Sequence, residues 1–332
     1  MKTLLKVLAL GWLLMMAPLP AQELKIATLA PDGSSWMNEF RQAADQIHVG
    51  TDQRVRVRFY PGGVMGDANA VLRRMRLGQL HGGAFTLGDL SPVADAVNLY
   101  SLPFLFENED EILAVRDQFD PLIIAALDEA GIVVPKISMG GFAYLFGRQA
   151  FPGPDGLDTG WRVWVPPNDP LSRRTLERAG VSPVPLALAE VYTGLQTGTV
   201  NTFASTPAAA IILQWHTRAR HMLDLPILMT GGMVGLDKRA FSRLTEADRA
   251  VVIESFSAAL TALEQTSRNE NNEARDALQR QGINLGRPTP EQSEAWRAIA
   301  EQTRREMLAN GQIRVPNLAE LENALERVRD AP

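Results

Sequence analysis

Between Gln265 and Asp276 the chain is almost wholly polar, yet it contains no glycine or proline that would end a helix. This stretch continues a helical pattern that opens with a capping-box-like Thr245-Glu246-Ala247-Asp248 and carries an apolar stripe of Val251, Val252, Phe256, Ala259, Leu260 and Leu263. A helix that is amphipathic in its first half and polar in its second cannot lie along one core. The pattern predicts a long helix that packs on one body and bridges to another across solvent. Length agrees, because about 310 residues beyond a leader exceed what a single hydrophobic core usually serves.

The rest of the chain alternates strand and helix signals. Leu24 to Leu29 reads as a strand, Pro31 to Ser35 as a turn, and Trp36, Phe40, Ala44 and Ile47 as one face of a helix. Val55-Arg56-Val57-Arg58-Phe59 alternates as a half-buried strand; Ala70 to Leu77 suits a helix ended by Gly78; Gly83 to Leu87 suits a buried strand. Alternation continues through Ile132-Val133-Val134, and a Pro/Gly-rich stretch from Phe151 to Gly156 then precedes a second series. That series comprises Arg162 to Val165, a helix near Pro170 to Ala179, Val191 to Thr197, and Asn201 to Phe203. A final helix pair is predicted, capped near Thr289-Pro290 and near Asn317. The economical architecture is α/β, with two bodies of the same type around mixed sheets and no internal repeat.

Lys2 and Lys6, the apolar run from Val7 to Met16 and the segment Ala17-Pro18-Leu19-Pro20-Ala21 have the order of a secretory leader, residues 1–21, with cleavage expected after Ala21. Leu19 is large for the third position before that bond, which leaves open a site a few residues away, or an uncleaved anchor. No later stretch is long and apolar enough to cross a bilayer. The chain has no cysteine, so it has no lipid-modified cysteine, disulfide or thiolate metal centre. Without the two leader lysines, the balance of 33 basic and 38 acidic residues becomes a net charge near −7, which disfavours nucleic acid and anionic membranes as partners. Small solutes fit better.

Catalytic motifs are missing. There is no Gly-x-Ser-x-Gly elbow, Gly-x-Gly-x-x-Gly loop, Walker loop or His-Glu-x-x-His pair, and His81-Gly82-Gly83 reads as a tight turn before a strand. Of the four histidines, His216 and His221 are five residues apart and would diverge by roughly 140° on a helix, so they cannot grip one metal. No cofactor or metal is expected, and no enzymatic activity. A hydrolase on this scaffold would need a nucleophile and a base converging in a cleft. What the chain offers instead is aromatic residues beside turns, where clefts between α/β domains form: Trp36, Phe85, Phe142, Tyr144, Trp164, Phe203 and Trp215. For each alone a core position is the more natural assignment, since aromatics dominate cores by area, and the position beside turns raises the cleft reading.

Several segments together resemble the DctP family, the periplasmic binding proteins of tripartite ATP-independent periplasmic (TRAP) transporters. They are Phe59 to Asp67 (FYPGGVMGD), Leu102 to Phe106 (LPFLF), Val184-Pro185-Leu186, and Glu190 to Gly198 (EVYTGLQTG), the last being the most specific. The resemblance runs from about Leu24 to Leu244. It implies a two-lobed, Venus-flytrap periplasmic binding protein of the α/β class, in which crossing strands and a long helix join the lobes and a solute held between them stabilises a closed form. The implied division is 22–144 with about 233–268 in one domain, and 145–232 with about 269–332 in the other. The implied partners are a small-molecule ligand and the TRAP membrane subunits.

The departures from the family bear on the ligand. Most DctP-like proteins place an arginine, paired with the ligand carboxylate, where Arg162-Val163-Trp164-Val165-Pro166 puts Trp164; a second common arginine is matched by Ala143. Replacing a five-donor cation with an indole removes the counter-charge for a buried carboxylate. An apolar or amphipathic solute is therefore expected, or an organic acid held by other groups such as Arg148, Arg162 or Arg173. Trp164, with the stretch Pro207 to Thr217, is similar to the subclass associated with a tetratricopeptide-repeat partner, often abbreviated TPAT. The residues expected at or near the cleft are Leu29, Trp36, Asp67, Phe85, Thr86, Phe142, Tyr144, Trp164, Leu188, Phe203, Ser205, Thr206 and Trp215.

Overall fold

The computed structural model describes residues 21–158 and 160–330; the expected leader, Ala21 excepted, lies outside them. The first lobe begins with strand β1 (Gln22–Ala27), helix α1 (Ser35–Gly50), β2 (Val55–Tyr60), α2 (Ala68–Arg76) and β3 (Gly82–Thr86). Both β2 and β3 run parallel to β1, so that Ile26 lies opposite Phe59 on one side and Gly82 on the other. The alternation in β2 puts Val55 and Val57 inward and Arg56 and Arg58 outward. Ser34 caps α1 by accepting from the Met37 N–H, and the helix buries Met37, Phe40, Ala43 and Ile47. Helix α3 (Glu109–Glu129), started by the Asn108 cap, and the short β4 (Ile132–Val133) complete this part.

The chain then crosses on β5 (Ser138–Gly147) into a second lobe made of β6 (Arg162–Val165), α4 (Pro170–Arg178), β7 (Ser182–Pro185), α5 (Val191–Thr197), β8 (Thr202–Ser205), α6 (Pro207–Ile212) and β9 (His221–Leu223). It returns on β10 (Leu228–Asp237), followed by α7 (Lys238–Phe241), α8 (Glu246–Arg280), β11 (Asn284–Gly286), α9 (Pro290–Ala309) and α10 (Leu318–Arg329). The strands form one ladder in the order β2-β1-β3-β10-β5-β8-β6-β7, with β4 on β10, and β9 between β5 and β11. The two ten-residue strands β5 and β10 are the crossings. Ser138 to Ala143 of β5 run along β10, and Tyr144 to Gly147 pair with β8. The register between β5 and β10 shifts at Thr230/Gly231, with Gly141 opposite Thr230, Met139 opposite Gly231 and Ser138 opposite Gly232, so that Gly140 is left without a partner across the pair.

Helix α8 spans 35 residues, about 52 Å at the α-helical rise. Val252, Phe256, Leu260 and Leu263 pack into the first lobe with Leu24, Phe40 and Ile47, whereas Leu278 packs into the second with Phe146 and Trp215. The helix therefore joins two bodies, as the pattern predicts, but its polar part does not run through solvent. The Met139 N–H donates to Glu264 Oε2 at 3.1 Å. Asn271, itself 9% exposed, donates to the Gly140 carbonyl at 2.8 Å and accepts from the Ala208 N–H at 3.1 Å. Polar side chains sit here because the backbone groups of β5 and α6 beneath the helix need partners. Gly141 permits this approach: it lies at φ 96°, and a β-carbon there would strike the Asn271 amide.

The C-terminal helix departs from the expected division, which assigns about 269–332 to the second lobe. Helix α9 packs on the second lobe through Trp296, whereas Leu321, Ala324 and Leu325 of α10 join the first-lobe core and Arg329 pairs with Glu111 at 2.8 Å. The apolar face of α10 is better covered by α3 than by anything in the second lobe. The segment between α9 and α10 is thus a further connection between lobes.

Candidate functional site

A cavity of ≈520 Å³ opens between the lobes, within the roughly 300–1,000 Å³ usual for small-molecule sites. The first lobe contributes Leu29 from the β1–α1 turn, Trp36 from the first turn of α1, Phe85 and Thr86 from the end of β3 and Leu87 just after it; the second contributes Trp164, Leu171, Leu188, Ser205, Thr206 and Trp215. Both crossings line it, through Ala143 and Leu145 of β5 and Met229 to Met233 of β10. Phe104 lines it too, held at φ 57° with its N–H donating to the Ile227 carbonyl at 2.6 Å. A bulky residue in that region of backbone space is strained, and such strain tends to collect at ligand sites.

The expected residues Leu29, Trp36, Phe85, Thr86, Trp164, Leu188, Ser205, Thr206 and Trp215 therefore meet around one space. Asp67, Phe142, Tyr144 and Phe203 do not line it. Strand alternation is the reason on β5: Ala143 and Leu145 face the cavity, so Phe142 and Tyr144 point to the opposite side. Phe142 is in the first-lobe core, and Tyr144 lies under the Arg275 guanidinium, 5.1 Å from its ring centroid. Phe203 is fully buried, stacked on Phe146 at 5.1 Å. Asp67 caps α2 by accepting from the Ala70 N–H at 2.8 Å.

Trp164 is both wall and core. It is 8% exposed, meets Trp215 edge to face at 5.2 Å, and donates its Nε1–H to the Leu186 carbonyl at 2.9 Å. Its one polar group is thus engaged inside the protein. Thr206 and Ser205 are similarly occupied, Thr206 Oγ1 accepting from the Ala209 N–H to cap α6 and Ser205 Oγ donating to the Thr206 carbonyl at 3.0 Å.

None of Arg148, Arg162 and Arg173 lines the cavity. Arg148 donates to the Leu195 carbonyl, Arg162 to the Gly198 carbonyl, and Arg173 pairs with Glu177. Among the described residues Arg314 is the one arginine or lysine in the lining, and no histidine is there. It sits exposed on the connection between α9 and α10, whose backbone is held by Asn98 donating to the Arg314 carbonyl at 3.3 Å and by the burial of Val315 in the first-lobe core. No sequence signal marked Arg314, because only the return of α10 to the first lobe brings it to the rim. The lining also holds Asp89, Asp95, Asp169 and Glu270. Burial pushes the carboxyls of Asp89 and Asp169 above their ordinary range, opposed by hydrogen bonds from Thr86 and Ser172 respectively.

With two lobes, two crossing strands and an interlobe cavity in place, comparison with known proteins decides the family. Residues 26–310 match the model of bacterial extracellular solute-binding protein family 7, DctP. The chain belongs to this family. A solute-binding protein of Chromohalobacter salexigens is 25% identical over 233 residues, 68% of this chain and 66% of that relative. The chain spans between 51% and 56% of the length of the next three curated relatives. Among solved structures, a TRAP periplasmic solute-binding protein of Ralstonia eutropha with bound (S)-2-acetolactate superposes with a TM-score of 0.84 at 20% identity, covering 92% of this chain and 99% of that one. One from Roseobacter denitrificans with bound β-D-glucuronate gives 0.82 at 21%, covering 91% and 98%.

These bound molecules are organic acids, and they overturn the expectation of a hydrophobic ligand drawn from Trp164 and Ala143. Losing one strand arginine removes one way of holding a carboxylate, not all of them: hydroxyls and backbone N–H groups also donate to it, and a guanidinium on another element supplies the counter-charge.

Proposed function

We propose that this DctP-family protein is the periplasmic solute receptor of a TRAP transporter, that its solute is a small organic acid, and that it performs no chemistry on it. The observation that carries the reading is the cavity itself, lined from both lobes and both crossing strands in a chain of this family. A solute touching both walls favours the closed arrangement by its differential contacts, and the register shift at Thr230/Gly231, with Gly140 and Gly141 on one strand and Gly231 and Gly232 on the other, suits a hinge. The Arg314 guanidinium is the counter-charge we assign to the carboxylate, replacing the family's strand arginine. The lobes are taken as 22–144 with about 233–268 and 145–232 with about 269–317, and the leader sends the protein to the periplasm. The membrane subunits are then the receiving partner. A tetratricopeptide-repeat partner belongs to the same proposal, supported by Trp164 and the Pro207 to Thr217 stretch.

The test is thermal unfolding and calorimetric titration of the purified protein against a panel of small mono- and dicarboxylic acids, with native mass spectrometry of protein purified without denaturation. At least one acid should raise the unfolding temperature and bind in one-to-one ratio. A panel without any such acid, together with a retained solute lacking a carboxylate, refutes the reading.

A further inference from the structure

Positive charge is gathered at one end of the first lobe. Lys25 of β1, Arg56 and Arg58 of β2, and Arg73, Arg74 and Arg76 in the last turns of α2 stand at the end away from the cavity, which takes Leu29 and Phe85 from the opposite ends of β1 and β3. Facing residues of a parallel pair share a side of the sheet, and Lys25 lies opposite Arg58, Glu23 opposite Arg56 and Ala27 opposite Tyr60. Ala27 and Tyr60 pack with Val71, Leu72 and Met75 of α2, so the cationic row emerges from under that helix. The end of α2 is pinned beside it: the His81 N–H donates to the Lys25 carbonyl at 2.8 Å, and Arg239 Nη2 donates to the Met75 and Arg76 carbonyls, each at 3.2 Å. Of the carboxylates beside these residues in the chain or ladder, Glu23, Asp52 and Asp237 are already matched with Lys25, Arg54 and Arg239. Arg56, Arg58, Arg73, Arg74 and Arg76 are exposed, and among the described residues none has a carboxylate partner; Arg58 lies over the Tyr60 ring and Arg74 meets Gln79.

The dipole of α2 accounts for arginines in its last turn, and arginines on the edge strand β2 discourage pairing with another chain. Neither accounts for one sign of charge across two strands and a helix end in a chain with 38 acidic and 33 basic residues. The surplus is felt within the lobe, where the His81 imidazole is held below its ordinary pKa by burial and then by Lys25 and Arg243, against Asp237. Two further observations point to a membrane. Leu77 follows the arginines of α2 and is 72% exposed, which adds an apolar side chain to the basic face. The chain also enters the fold here, the Gln22 N–H donating to the Arg54 carbonyl at 2.7 Å and its side chain to the Ala240 carbonyl at 3.1 Å. With residues 1–21 read as a leader, the apolar run from Val7 to Met16 precedes this end of the lobe directly in sequence.

We infer that this basic end of the first lobe is a contact face for the anionic phospholipid headgroups of a membrane. Guanidinium groups pair bidentately with phosphate, and an exposed set spread over two strands and a helix end suits an array of anions. The rest of the protein carries the excess of negative charge, so attraction is confined to this end and orients the receptor on the surface. The identity of the solute plays no part in it.

The experiment is co-sedimentation of the purified protein with vesicles of phosphatidylcholine alone, or with about one-third phosphatidylglycerol, at about 50 and 500 mM salt. Wild type should partition onto the anionic vesicles at low salt at least about tenfold more strongly than onto the neutral ones, and the preference should vanish at high salt. Arg73→Gln/Arg74→Gln/Arg76→Gln should lower that partition at least about tenfold, since each basic residue near such a surface contributes about fivefold. Arg280→Gln/Arg287→Gln/Arg305→Gln, which removes as much charge from exposed sites of the second lobe, should bind as wild type does. Equal binding to both vesicle types, an α2 variant that partitions like wild type, or an equal loss in the second-lobe variant overturns the inference. Thermal unfolding verifies that the variants are folded; if the α2 variant is not, Arg56→Gln/Arg58→Gln replaces it, and undiminished partition there overturns the inference. Wild type that ignores the anionic vesicles but is held on immobilised polyglutamate, with retention lost in the α2 variant, assigns the face to an acidic protein and overturns the lipid reading.

Discussion

Replacing Arg116 with leucine removes the centre of a buried network beneath the crossing strands. Arg116 is 7% exposed and donates to Glu264 Oε1 at 2.6 Å, to Asp120 Oδ2 at 3.0 and 3.1 Å, and to the Ile137 carbonyl at 2.6 Å. Tyr100 donates to the other Asp120 oxygen at 2.7 Å, and Glu264 in turn receives the Met139 N–H at the start of β5. Without the guanidinium, two carboxylates remain in a region where each is only 17% exposed. Breaking a buried ion pair from one side costs ~3–5 kcal/mol, and the residual hydration of both acids places this case near the lower figure. A loss of about 3 kcal/mol at pH 7.5 corresponds to a fall of roughly 5–10 °C in unfolding temperature. The sign of the pH dependence follows from Asp120, whose carboxyl burial already pushes up while the Tyr100 hydrogen bond and Arg116 pull it down. Removing Arg116 raises it further. A folded-state value above the unfolded one carries a penalty at higher pH that is lost as pH falls through the folded value. Arg116→Leu should therefore regain part of its deficit relative to wild type between pH 7.5 and mildly acidic conditions, and Arg116→Leu/Glu264→Gln should be about 1 kcal/mol more stable than the single variant. Urea unfolding at two pH values measures both. A deficit below about 1 kcal/mol, or one that does not change with pH, refutes the network's role.

Other expectations follow from the same geometry. Trp164→Phe leaves the Leu186 carbonyl without its indole donor and should lower stability by about 1 kcal/mol in denaturant titration while preserving the edge-to-face packing on Trp215. Gly141→Ala forces a β-carbon into the Asn271 amide at φ 96° and should lower the thermal midpoint by an amount equivalent to about 1–3 kcal/mol. Arg314→Gln should weaken binding of a monocarboxylate such as D-erythronate by about tenfold and flatten its salt dependence, since an exposed guanidinium is screened by ions. Because burial raises the carboxyls of Asp89 and Asp169, these take up protons before ordinary aspartates as pH falls and make the cavity less negative. Affinity for the anion should rise as pH falls from neutrality toward the carboxylate range, with net proton uptake visible in titrations run in buffers of different ionisation enthalpy.

Much of the architecture was legible because it depends on local pattern. Val55 to Phe59 alternates, Thr245 caps its helix, and the run from Thr245 onward has the period of one long helix; each needs only neighbouring residues to specify it. The cleft residues flanking turns, such as Trp36, Phe85 and Trp164, were legible for a related reason: strand ends in α/β lobes converge on the interlobe space. Phe142 and Tyr144 were not separable from Ala143 by sequence, since the choice of face on a strand with apolar residues on both sides depends on what covers each face.

By itself the sequence determined the class of fold, the presence of two bodies and a bridging helix, and membership in a family of solute binders, since these rest on periodicity and motifs read along the chain. Only the tertiary structure decided which charges meet the cavity. Arg314 arrives through the return of α10 to the first lobe, and Glu270 lies on the face of α8, shared with Leu260, Leu263 and Ser267, that the two lobes leave open to the cavity. Helix periodicity sets the face of α8 on which Glu270 lies, but what covers that face, and where Arg314 ends, depends on long-range packing.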